Sequence, residues 1–134
     1  MLGTSKDIKY PGLNILPPGV ERHVVNGGGL TGFQVFPDDE IEIVNNEGNQ
    51  ICEIICFNKN GKSELGILNL KENSKKNYIK NILLGKDETI LATNYQLKKR
   101  NLNVSDSHAA IIFDPDTNAG EVNKLKSKDK CYAI

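Results

Sequence analysis

Between Asn49 and Phe57 the chain reads Asn-Gln-Ile-Cys-Glu-Ile-Ile-Cys-Phe. Side chains alternate in a strand, so Ile51, Glu53, Ile55 and Phe57 share one face, and Gln50, Cys52, Ile54 and Cys56 the other. Both faces are mostly apolar, and a strand of that kind must be central and covered on each side. Glu40–Val44 upstream alternates cleanly, with Ile41 and Ile43 on one side and Glu40, Glu42 and Val44 on the other. Asn45-Asn46-Glu47-Gly48 lies between the two, and Asn and Gly tolerate the positive φ angles of a tight turn. The pattern predicts a hairpin over Glu40–Phe57 as the centre of the domain.

Other segments fill in a mainly β chain. Val20–Val25, Leu30–Phe36, Asp87–Thr93 and Asn103–Phe113 read as strands, the last broken at Asp106-Ser107-His108. Asn26–Gly29, Pro37–Asp39 and Asp114–Asn118 read as turns. Leu65 and Leu68 suggest a helical turn, while Tyr78, Ile79, Ile82 and Leu83 form a helical stripe behind a cap at Asn73 or Ser74, with Gly85 as its C-terminal stop. The expected class is mainly β with one or two short helices (α+β), its antiparallel sheet barrel-like or sandwich-like. Residues 1–19, with Tyr10-Pro11-Gly12 and Pro17-Pro18-Gly19, read as an extended segment, and residues 20–118 as the β-rich domain. Residues 119–134 read as a charged linker leading into a further strand at Cys131-Tyr132-Ala133-Ile134. That apolar ending is read as a chain that continues.

A length of 134 residues suits one domain. Lys+Arg and Asp+Glu balance at 17 each, which provides no electrostatic case for nucleic acid or an anionic membrane. The N-terminal residues lack the apolar run of a secretory signal, and no stretch of the chain is apolar enough for a spanning helix. Cys52, Cys56 and Cys131 are an odd set without disulfide-framework spacing. Cytoplasm is the expected compartment.

The constellations that suggest chemistry mostly dissolve into simpler accounts. Cys52 and Cys56 share a strand face and could join His23 and His108 around a metal, but zinc sites usually pair cysteines on a tight turn, and free Cys packs well among Ile51, Ile54 and Ile55. Gly27-Gly28-Gly29 lacks the Gly-Lys-Ser/Thr ending of a phosphate loop and precedes a strand. Ser105-Asp106-Ser107-His108 collects triad residue types as neighbours, whereas triads assemble from distant segments. No metal ligands are assigned. Glu53 remains: a carboxylate on an apolar face needs a partner, a cavity or incomplete burial. It is the single catalytic candidate, with Asn49 and Gln50 beside it as binding candidates.

That same segment carries a resemblance. Gly48-Asn49-Gln50-x-x-Glu53, after Ile41-Glu42-Ile43-Val44 and before Phe57-Asn58, is similar to the urea carboxylase-associated family of β-barrel domains. The similarity runs from about Pro17 to Asn58, with a looser echo from Leu84-Gly85 to Thr93-Asn94. Glu53 stands where the family usually has Asp, and the family's later acidic, His and Cys motifs have no match here. Such domains occur fused to tetrahydrofolate-binding aminomethyltransferase (glycine cleavage T-protein-like) modules, an arrangement found in trimethylamine N-oxide demethylases.

The resemblance therefore implies a non-catalytic N-terminal domain of a larger one-carbon-transfer enzyme. The remaining domains of that parent would be its partners, with homo-oligomerisation as a further possibility. Zinc and tetrahydrofolate would belong to the parent, with no cofactor in this segment. The rival expectation is a free-standing small-molecule-binding or oligomerisation module.

Overall fold

A computed structural model describes residues 19–74 and 76–134. The extended segment expected over residues 1–19 lies almost wholly outside the described residues. Six strands and two α-helices follow: β1 (Phe33–Val35), β2 (Glu40–Asn45), β3 (Cys52–Asn58), α1 (Tyr78–Ile82), α2 (Glu88–Lys99), β4 (Ala109–Phe113), β5 (Glu121–Lys126) and β6 (Cys131–Ala133). A 3-10 turn spans Leu65–Leu68.

One antiparallel sheet has the order β1-β6-β3-β4, and β2 pairs with β5 as a separate two-stranded ribbon. The apolar faces of β3 explain its central place. Ile54 and Cys56 enter a core with Val35, Ile41, Ile43, Leu68, Phe113 and Leu125, beneath the ribbon and the 3-10 turn. Ile55 and Phe57 enter the opposite core with Ile79, Leu83, Leu97 and Tyr132, beneath the helices. Ile55 and Phe57 are 0% and 1% exposed, and each such side chain contributes about 1.5–3 kcal/mol by leaving water. The result is three layers: ribbon, sheet and helices. Of the two arrangements expected, the sandwich is the one present, and the described strands close no barrel.

The predicted hairpin over Glu40–Phe57 does not form. β2 and β3 pair with different partners because they have different needs. β3 is apolar on both faces, whereas β2 buries Ile41 and Ile43 and leaves Glu40 and Glu42 exposed. A one-sided strand belongs in an outer layer. The bend between them is nonetheless a real turn, with Gly48 at φ 72° and Asn49 at φ 53°.

Other expectations also shift. Val20–Val25 is irregular, and only Phe33–Val35 of the next segment is strand. Asp87–Thr93, expected as a strand, is instead the cap and first half of α2, with the Asp87 carboxylate accepting the Ile90 N–H at 2.9 Å. Glu121–Lys126, expected as charged linker, pairs with β2 along its whole length. Gly85 follows α1 without a positive φ, and a Cβ there would lie 2.7 Å from Ile90 Cδ1, so glycine leaves room for the Ile90 side chain of α2. Among the described residues no helix is long and apolar enough to cross a membrane.

Candidate functional site

Glu53 sits on β3 at the edge of the helix-side core and is half-buried. Both carboxylate oxygens are occupied from within the chain. Oε1 accepts the Ile79 N–H at 2.9 Å, and Oε2 accepts the Ser74 hydroxyl. Ile79 is in the first turn of α1, where backbone donors have no partner inside the helix and the dipole favours an anion. Ser74 Oγ also receives the Asn77 N–H at 3.3 Å, and Asn77 reaches Ser107 through Nδ2. The carboxylate thus fastens the start of α1 to the central strand.

Asn49 and Gln50 are exposed on the bend that leads from β2 into β3. Asn45 organises this bend: its Oδ1 accepts the Gly48 N–H at 3.0 Å and its Nδ2 donates to the Gln50 carbonyl at 3.2 Å. The Asn49 N–H donates to the Thr117 carbonyl at 2.7 Å. A Cβ at Gly48 would come within 2.6 Å of the Ala119 nitrogen, so the backbone there passes too close for any larger residue. Gln50 lies over Gly27, whose added Cβ would meet Oε1 at 3.1 Å. The structure brings Gln50 against Gly27 and Asn49 against Thr117, and leaves Glu53 apart on the strand beyond.

The other polar groups resolve locally. His23 stacks on Phe33 with ring centroids 5.4 Å apart. His108 Nδ1 lies 2.7 Å from Glu72 on the surface. Ser105 donates to Asn103 Oδ1 at 2.6 Å, and Ser107 to the Val104 carbonyl at 2.6 Å, so the Ser-Asp-Ser-His run builds its own 3-10 turn over Val104–Asp106. Cys52, Cys56 and Cys131 are all free thiols. Burial pushes the Cys52 thiol up, and Cys56 is pushed up further by its hydrogen bond with Cys131 together with burial. Among the described residues no three His, Cys, Asp or Glu side chains converge as a metal-ligand set.

Two surface clefts lie among the described residues. One runs beside β1 and β2, lined by Glu21, His23, Phe33, Phe36, Asp39 and Glu40 among others. The second, of about 250 Å³, lies where β1, β6 and β3 end beneath the C-terminus of α2. Lys59, Arg100 and Lys130 line it, over a floor that includes Gln34 and Tyr132. Sequence reasoning missed this grouping, since its three cations belong to three separated segments and only the fold unites them.

Comparison with known proteins adds one relationship. No family model matches the chain, and no solved structure matches it. Over 127 residues, 95% of its length, it is 33% identical to trimethylamine-oxide aldolase from Ruegeria pomeroyi. It resembles a segment of that larger protein. The matched region spans 16% of the relative's own length.

Proposed function

We propose that this chain is a β-rich, non-catalytic domain of a larger one-carbon-transfer enzyme of the aminomethyltransferase or trimethylamine N-oxide demethylase kind. The observation that carries the reading is the lopsided match: nearly the whole chain aligns, to a small part of trimethylamine-oxide aldolase. The resemblance of Gly48–Asn58 to urea carboxylase-associated domains points the same way. The occupied carboxylate of Glu53 supports a structural role for the one residue singled out as catalytic. On this reading the ligands of zinc and tetrahydrofolate are contributed by other parts of such a parent, those parts are the domain's partners, and the enzyme works in the cytoplasm.

Domain exchange tests it. The matched 127 residues of the Ruegeria pomeroyi protein would be replaced by this chain, and loss of trimethylamine oxide followed by NMR. Turnover by the chimera, with none by the isolated chain, is expected. Turnover by the isolated chain, or a folded chimera that is inert, would sink the proposal.

A second reading, a free-standing oligomerisation module, draws on α2. Leu91 and Tyr95, one helical turn apart, are 54% and 63% exposed. Sedimentation equilibrium separates the two, because the module reading requires a stable oligomer that Leu91→Glu with Tyr95→Glu converts to monomer.

A further inference from the structure

The cleft beneath the C-terminus of α2 concentrates positive charge in a chain that has none to spare, with 17 basic and 17 acidic residues overall. Lys59 comes from the turn after β3, Arg100 from the residue that ends α2, and Lys130 from the loop before β6. No Asp or Glu is among the lining residues. Neither lysine nor Arg100 forms an ion pair with a described carboxylate.

A basic residue at a helix C-terminus is ordinary, because it complements the dipole, and Arg100 alone needs no other reason. Lys130 reaches over the Phe36 ring, 5.8 Å from its centroid, while Lys59 has neither a helix end to complement nor an ion pair among the described residues. Three cations drawn to one hollow repel one another, and that cost is offset when an anion enters.

The floor is already arranged. Arg100 lies over Tyr132, its guanidinium carbon 4.5 Å from the ring centroid, a cation–π contact that holds the group beside the cleft before any ligand arrives. Tyr132 is 8% exposed, and its ring packs so closely on β1 that a Cβ at Gly32 would sit 2.6 Å from the hydroxyl. Gln34 pairs directly across from Tyr132 and adds an amide to the same cleft. By contrast, the Asn58 side chain is committed, donating to Glu64 and accepting the Asn60 and Lys62 N–H groups.

We infer that this cleft binds a small organic anion through a carboxylate or phosphate group, with Arg100 as the anchor and Lys59 and Lys130 as flanking charges. A guanidinium fork suits the two oxygens of either group. A volume of about 250 Å³ accommodates a small organic anion. The inference stands apart from the domain reading, since it concerns only residues of this chain.

The test is an amide NMR titration of the chain with inorganic phosphate and, separately, with succinate, each against sodium chloride at matched ionic strength. Saturable shifts at Gly61, Arg100 and Tyr132 are expected with at least one anion. The phosphate and succinate arms distinguish the two headgroups. Arg100→Gln should weaken binding by about tenfold or more, as expected for loss of a charge-assisted pair. Lys124→Gln, on the outer ribbon, should leave it unchanged. Should Arg100→Gln fail to fold, the double variant Lys59→Gln with Lys130→Gln serves instead, because neither side chain has a hydrogen bond to lose. The inference is overturned if neither anion saturates, if chloride reproduces the shifts, or if these substitutions leave affinity intact.

Discussion

At the scale of the residue, Glu53 is the informative case. Its position on an apolar face marks it in the sequence as a carboxylate in want of a partner. The partners themselves, Ser74 and the Ile79 N–H, arrive by tertiary contact across more than twenty positions, which no local pattern could show. Glu53→Ala leaves two donors unsatisfied and should cost about 1–3 kcal/mol in urea denaturation. Ser74→Ala should cost less, and the double variant should fall short of the sum, because the two share one interaction. In the larger enzyme proposed above, loss of turnover at unchanged stability would instead make the carboxylate catalytic. Gly48 is legible as a turn residue, although the turn is not a hairpin, and Asn49, expected to open the strand, belongs to the turn as well. The thiols predict a pH dependence. Burial raises Cys52, so the fold prefers its neutral form, whereas the hydrogen bond between Cys56 and Cys131 raises the first and lowers the second, two shifts that oppose each other. The Cys52 contribution is complete below the unfolded thiol value of about 8.5 and is lost as pH rises beyond it. The urea midpoint should therefore fall from pH 8 towards pH 10, and fall less steeply in Cys52→Ala.

At the scale of the element, the sequence was most readable where one period dominated and least where two signals competed. β3 announces its central place through two apolar faces. α2 was misread because Thr89, Ile90 and Thr93 favour strands, while the helical spacing of its buried Ile90, Thr93 and Leu97 is sparse. Its start was nevertheless written at Asp87, and Asp87→Ala should destabilise the fold by about 0.5–2 kcal/mol. β5 was misread for a different reason. Leu125 is its only deeply buried residue, and the rest of its identity lies in the partner: Glu40 faces Lys126 and Glu42 faces Lys124. Opposite charges across a ladder contribute roughly 0.2–1 kcal/mol per pair. Lys124→Glu with Lys126→Glu should lower the thermal midpoint, and adding Glu40→Lys with Glu42→Lys should recover part of the loss. That recovery is the signature of pairing rather than of total charge.

At the scale of the whole molecule, the three layers share one central sheet, and β6 supplies its interior. β6 lies between β1 and β3, and its pairing with β3 continues past Ala133 through reciprocal hydrogen bonds between Ile55 and Ile134, each 3.0 Å. A chain ending at Lys130 should lose cooperative unfolding altogether, measured by circular dichroism against urea. This long-range closure is what the sequence could not display, since an apolar tetrapeptide after charged residues says nothing about which strands it will part.

The same placement governs the order of events during synthesis. On a ribosome, β1 emerges nearly a hundred residues, and β3 about seventy, before the strand that must enter between them. Until then each presents an unpaired backbone edge, and a direct union of the two would have to be undone. The nascent chain must keep that slot open, which makes the interval before Cys131 emerges the period in which a chaperone, or a neighbouring edge, has most to gain.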